Sequence, residues 1–110
     1  MRLPNFLALF VSCLLLSANV GADIDKGYAA YNARDYKTAL REWKPLAEQG
    51  NADAQFTLGS MYKNGEGVLQ DDKEAVKWYT KAAEQGYARA QFNLGTMYAN
   101  GEGVLQDDKE

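Results

Sequence analysis

The chain contains no histidine, and its one cysteine, Cys13, lies in the first stretch of sequence. Beyond residue 22 the sole serine is Ser60. That part of the chain therefore cannot assemble a Ser-His-Asp triad, a Cys-His pair or a zinc site built on His or Cys. It can form no disulfide either. A length of 110 residues allows one small domain. The 12 basic and 15 acidic side chains leave a net charge of −3 and no basic cluster. This balance argues against nucleic acid, and against an anionic membrane, as the main partner.

The opening segment differs from the rest. Arg2 is followed by the apolar run 6–16, broken only by Ser12, and then by Ser17, Ala18, Gly21 and Ala22. This layout reads as a secretory signal peptide over 1–22, cleaved after Ala22. The run is too short to span a bilayer, which takes about 20 residues. Cys13 sits within the run and not at its end, so a lipid-bearing cysteine is the weaker reading. An exported protein, periplasmic or secreted, is the expectation.

Self-comparison reveals a repeat of 36 residues. Residues 54–74 read AQFTLGSMYKNGEGVLQDDKE and residues 90–110 read AQFNLGTMYANGEGVLQDDKE, identical at 18 of 21 positions. The same offset carries residues 47–50 onto 83–86, and sets Asp35, Lys37, Ala39, Leu40 and Trp43 against Asp71, Lys73, Ala75, Val76 and Tyr79. Each unit reads as two helices. Ala54, Leu58, Met61 and Tyr62 form a helical stripe, as do Ala75, Val76, Tyr79, Ala82 and Ala83. Gly65 and Gly86 stand where helices end, and Asp71 with Glu74 suggests a capping box. Gly59 would allow close helix approach. The first unit lacks the glycine loop and carries Pro45, which predicts a bend. Helices are expected near 24–33, 35–49, 52–64, 71–85 and 88–100.

The loop Gly65-Glu66-Gly67 follows a helix and lacks a Gly-Lys-Ser ending, so it reads as a helix stop and not as a phosphate cradle. Asn64, Glu66, Asp71 and Asp72 lack calcium-loop spacing, and Asp71 is already assigned to a cap. No metal or cofactor is expected.

The 36-residue period, Ala54-x-x-x-Leu58-Gly59-x-x-Tyr62, Gly65-x-Gly67-Val68, Trp78-Tyr79 and Lys81-Ala82-Ala83-x-x-Gly86 together resemble the Sel1-like repeat, a branch of the tetratricopeptide superfamily. The resemblance covers residues 27–110 and implies an all-α, right-handed α-solenoid. The units are then 1–22 leader, 23–50 tetratricopeptide-like hairpin, 51–86 complete repeat and 87–110 repeat truncated in its second helix. It also implies an adaptor in protein assemblies. Some secreted members are described as β-lactamase-like or penicillin-binding, but the paired cysteines that mark them are absent here. An envelope enzyme is thus the disfavoured alternative, and no catalytic residue is assigned.

The two copies differ at Thr57/Asn93, Ser60/Thr96 and Lys63/Ala99, and just upstream at Asp53/Arg89. Positions 53, 57, 60 and 63 lie on one stripe of a helix, which suggests a face with little packing constraint. The family resemblance implies that first helices line a concave groove. It places Asp53, Phe56, Ser60, Lys63 and Asn64 on that face, with Arg89, Phe92, Thr96, Ala99 and Asn100 in the next unit. A protein or peptide would bind there, Phe56 and Phe92 being its repeated apolar contacts. The competing reading is that exposed positions of a duplication drift first, and that Phe56 packs on the next repeat. Trp43 and Trp78 read as packing between repeats. A third unit without its second helix leaves Leu94, Met97 and Tyr98 uncovered, which predicts a frayed end, homodimerisation or a longer chain.

Overall fold

A computed structural model describes residues 21–104. The leader reading, Cys13 included, lies outside these residues apart from Gly21 and Ala22, and so do residues 105–110 at the end of the third unit. The described chain is five helices: α1 Ile24–Asn32, α2 Tyr36–Glu48, α3 Ala52–Asn64, α4 Asp72–Glu84 and α5 Ala88–Asn100. There is no strand among the described residues, and no helix there is long and apolar enough to cross a membrane. Each helix packs on the next in sequence, which gives an α-solenoid of helical hairpins.

Side-chain caps fix four of the five helix starts. The Asp23, Asp35, Asn51 and Asp71 side chains accept first-turn N–H groups of α1 to α4, satisfying donors that have no intrahelical partner. Tyr87 precedes α5 and supplies no such bond. Only half of the expected capping box forms. Asp71 accepts from the Lys73 and Glu74 amides, but its own N–H donates to the Tyr62 carbonyl at 2.9 Å, and the Glu74 carboxylate pairs with Lys77 at 3.3 Å. The tertiary carbonyl has taken the donor that Glu74 would have bonded. Pro45 lies inside α2, which continues past it to Glu48. The missing N–H of Pro45 removes the helical donor of one carbonyl, that of Arg41.

The apolar stripes form the core. Ala54, Leu58, Met61, Ala75 and Ala82 are fully buried, and Tyr79 nearly so. Trp43 packs in the first hairpin edge-on to Tyr28, and Trp78 packs on Ala47, Ala54 and Leu58. Both tryptophans thus serve as packing between helices. Two glycines inside helices allow close packing. A Cβ on Gly27 would lie on the Trp43 indole, and one on Gly59 would lie 2.8 Å from the Tyr79 ring. The buried Gln55 adds a polar tie, donating to the Ala47 carbonyl at 3.1 Å and accepting from Gln85 at 2.9 Å. Its counterpart Gln91 donates to the Ala83 carbonyl at 3.1 Å, so the tie recurs with the period.

The glycine loops lock neighbouring units together. Gly67, at φ +76°, lies against Tyr36 at the start of α2, and Gly103, at φ +73°, lies against the Asp72 carbonyl at the start of α4. Both demand a left-handed backbone and no side chain. The first hairpin has no such loop and turns through Ala33, Arg34 and Asp35, with Arg34 itself at φ +65°.

Candidate functional site

The residues at issue project from the first helices of the three units, α1, α3 and α5. Asp53, in the first turn of α3, accepts at one oxygen from the Tyr28 hydroxyl of α1 at 2.8 Å and from the Tyr87 hydroxyl ahead of α5 at 2.7 Å. One carboxylate therefore ties three units. Burial, followed by the bonds to Asp53, pushes the Tyr28 and Tyr87 phenols above their ordinary value. Phe56, one turn along α3, is half-buried against Tyr79 and Tyr87, with ring centroids 5.6 and 5.2 Å apart. The Arg89 guanidinium lies 5.3 Å above the Phe56 ring, within cation–π range.

These groups surround a hollow of about 150 Å³ between α1, α3 and the start of α5. Tyr28, Tyr31, Trp43 and Phe56 line it with aromatic surface, and Thr57, Ser60 and Arg89 complete it. Its polar atoms are largely committed. The Thr57 hydroxyl donates to the Ala54 carbonyl, Ser60 and Tyr79 share a hydroxyl bond of 2.9 Å, and the Trp43 indole donates to the Ile24 carbonyl. The Tyr31 hydroxyl donates to Glu66 at 2.7 Å, and burial followed by this bond pushes its pKa up to about 12.

Of the residues expected on the groove face, Asp53, Phe56, Ser60 and Arg89 come together at or beside the hollow. Lys63 stands further along α3, pairing with Glu102 at 3.7 Å and with Asp72 at 4.0 Å, and Asn64 is exposed at the helix end. Phe92, Thr96, Ala99 and Asn100 form an exposed part of α5. Phe92 is 75% accessible, and the Thr96 hydroxyl turns back to the Phe92 carbonyl at 3.1 Å.

Two expectations need correction. The stripe at 53, 57, 60 and 63 is not slack in the middle unit, since Thr57 is buried and the other three are bonded to neighbouring elements. Variation there reflects what each copy meets: Asp53 finds two tyrosines, while Arg89 finds a ring. Met97 is also not uncovered. It is fully buried in the cluster of Ala75, Tyr79, Ala82 and Ala90, Leu94 is half-buried there, and Tyr98 alone of the three is mainly accessible. The side of α5 that carries Met97 faces α4 of the preceding unit.

The self-comparison missed Tyr28, Tyr31 and Tyr87 as site residues. Tyr28 and Tyr31 lie in the first hairpin, and Tyr87 falls in the linker outside the matching block. For Tyr28 and Tyr31, the i, i+3 spacing on α1 was the available signal.

Comparison with known proteins agrees with this architecture. The Sel1 repeat family matches residues 52–87 and 88–110. A Sel1 repeat protein from Oxalobacter formigenes is 39% identical with a TM-score of 0.73, over 77% of this chain and 35% of that one. A protective antigen present in uropathogenic Escherichia coli strains, displaying an SLR fold, is 40% identical with a TM-score of 0.76, over 87% of this chain and 21% of that one. The chain thus spans about a third and a fifth of their lengths. No curated protein matches. The period, the paired helices, the glycine loops and these matches have one explanation: the chain belongs to the Sel1-repeat family.

Proposed function

We propose that this chain is an exported adaptor that holds a protein or peptide partner on the concave face of its first helices. The observation that carries the reading is the gathering of Asp53, Phe56, Ser60 and Arg89 from two units around one aromatic hollow. Aromatic rings and arginine are the side chains that most often anchor protein interfaces. The accessible Phe92 extends the same face along α5. The chemistry on this face is adhesive, and its hydroxyls are tied up, those of Tyr28 and Ser60 in bonds between helices and that of Thr57 within its own, which supports a binding role over the enzyme alternative.

The reading predicts that the mature chain starts after Ala22 and is recovered outside the cytoplasm. Cross-linking from position 89 to a partner should fall about tenfold in Phe92→Ser, a substitution at a surface site that leaves the core alone. Partner capture unaffected by both Phe56→Ala and Phe92→Ser would overturn it.

A further inference from the structure

Arg89 stands apart among the charged groups of the first-helix face. Asp53 is occupied by two tyrosine hydroxyls, Glu66 by a third, and Lys63 by two carboxylates. Among the described residues, Arg89 has no carboxylate within ion-pairing distance; its guanidinium lies over the Phe56 ring and is near enough to the Tyr28 and Tyr87 phenols to act on them electrostatically. Its guanidinium is thus held by stacking and keeps its hydrogen-bond donors for something else. A water fills about 30 Å³ and common small-molecule pockets measure roughly 300–1,000 Å³. A hollow of about 150 Å³ therefore has room for one side chain and not for a metabolite. Aromatic walls alone would suit a cation, but the guanidinium at the mouth repels one and the nearest carboxylate is already bonded.

We infer that this hollow takes one apolar side chain of an extended peptide, while a neighbouring aspartate or glutamate of that peptide pairs with Arg89. The ligand class is an acidic-apolar peptide segment. The assignment rests on the reading of this face as a binding surface and adds the chemistry of what binds. Depth in the hollow selects for an apolar residue, and the planar donor fork of arginine selects for a carboxylate beside it.

The test uses the full chain and capped pentapeptides, followed by nuclear magnetic resonance titration. The reference probe is acetyl-Gly-Glu-Leu-Glu-Gly-amide, with glutamine and lysine twins in place of both glutamates. The glutamate peptide should bind about fivefold more tightly than the glutamine twin, the upper range for an ion pair at an exposed arginine, with the lysine twin weaker still. This preference should shrink at 0.5 M salt, vanish in Arg89→Gln and survive in part in Arg89→Lys. Equal binding of the glutamate and glutamine peptides, a preference unchanged in Arg89→Gln, or tighter binding of the lysine twin would each overturn the assignment. So would tighter binding of an uncapped Gly-Gly-Leu peptide, since the ligand would then be a chain end. A chain that shows no glutamate preference, yet holds its partner through Phe56 and Phe92, loses this assignment and keeps the groove reading. Partner binding indifferent to those two residues removes the groove reading itself.

Discussion

Helices α3 and α5 are nearly the same sequence in two settings. Residue for residue, Ala54, Leu58, Gly59 and Tyr62 become Ala90, Leu94, Gly95 and Tyr98. On α3 the leucine is fully buried and the glycine is pressed by the Tyr79 ring, whereas on α5 the leucine is half-buried and the glycine meets nothing within 4 Å. The polar positions follow suit. Ser60 shares a bond with Tyr79, while its counterpart Thr96 bonds its own helix. A repeat sequence thus encodes a face, and the neighbour decides what that face contributes. This is the one-dimensional coupling expected of stacked repeats.

The sharpest way to separate the two helices is to delete the same leucine from each. Leu58→Ala should cost about 3 kcal/mol in urea unfolding, the usual penalty for emptying a closed core site, and Leu94→Ala clearly less than half of that. Equal costs would mean that α5 is covered in solution by something absent here, such as a second copy. Glycine replacement should then split in sign. Gly59→Ala forces a Cβ to within 2.8 Å of Tyr79 and should destabilise by about 1–3 kcal/mol, while Gly95→Ala has open space and should stabilise by about 0.5–1 kcal/mol through helix propensity. Thermal melts of the two variants check this directly, and a loss in Gly95→Ala would break the contrast. The smallest effect concerns the tyrosine that ties α1 to the glycine loop. Tyr31 titrates near 10.0 in an unfolded chain and near 12 when folded, so the folded state keeps a proton that the unfolded state releases. Its contribution is complete below pH 10 and disappears as the pH rises towards 12. The urea midpoint of the protein should fall across that window, with a shallower fall in Tyr31→Phe.

Much of the architecture was legible because it is written twice. The period, the three helices of the matching copies and their buried stripes follow from residues that recur every 36 positions, and the second helix of the first hairpin from its partial match to them. The site was harder to read for the same reason, since its distinctive bonds join residues without repeat counterparts. Asp53 becomes Arg89 in the next copy, and the tyrosines that seize Asp53 come from the first hairpin and from a linker. The burial of Thr57 and Met97 was hidden because a single helix gives its stripe but not which side the next unit takes. The half-formed capping box fails in the same way, through a carbonyl of the preceding helix that no local pattern announces.

The loop glycines carry a mechanical consequence. Gly67 and Gly103 each bring a turn so close to the first residue of an earlier second helix that a side chain there would collide, with Tyr36 in one case and with the Asp72 backbone in the other. Any side chain at either position would push successive hairpins apart and so alter the curvature of the array. On the proposed binding role, the spacing between the hollow beside Phe56 and the accessible Phe92 on α5 would then depend on these turns as much as on the helices themselves.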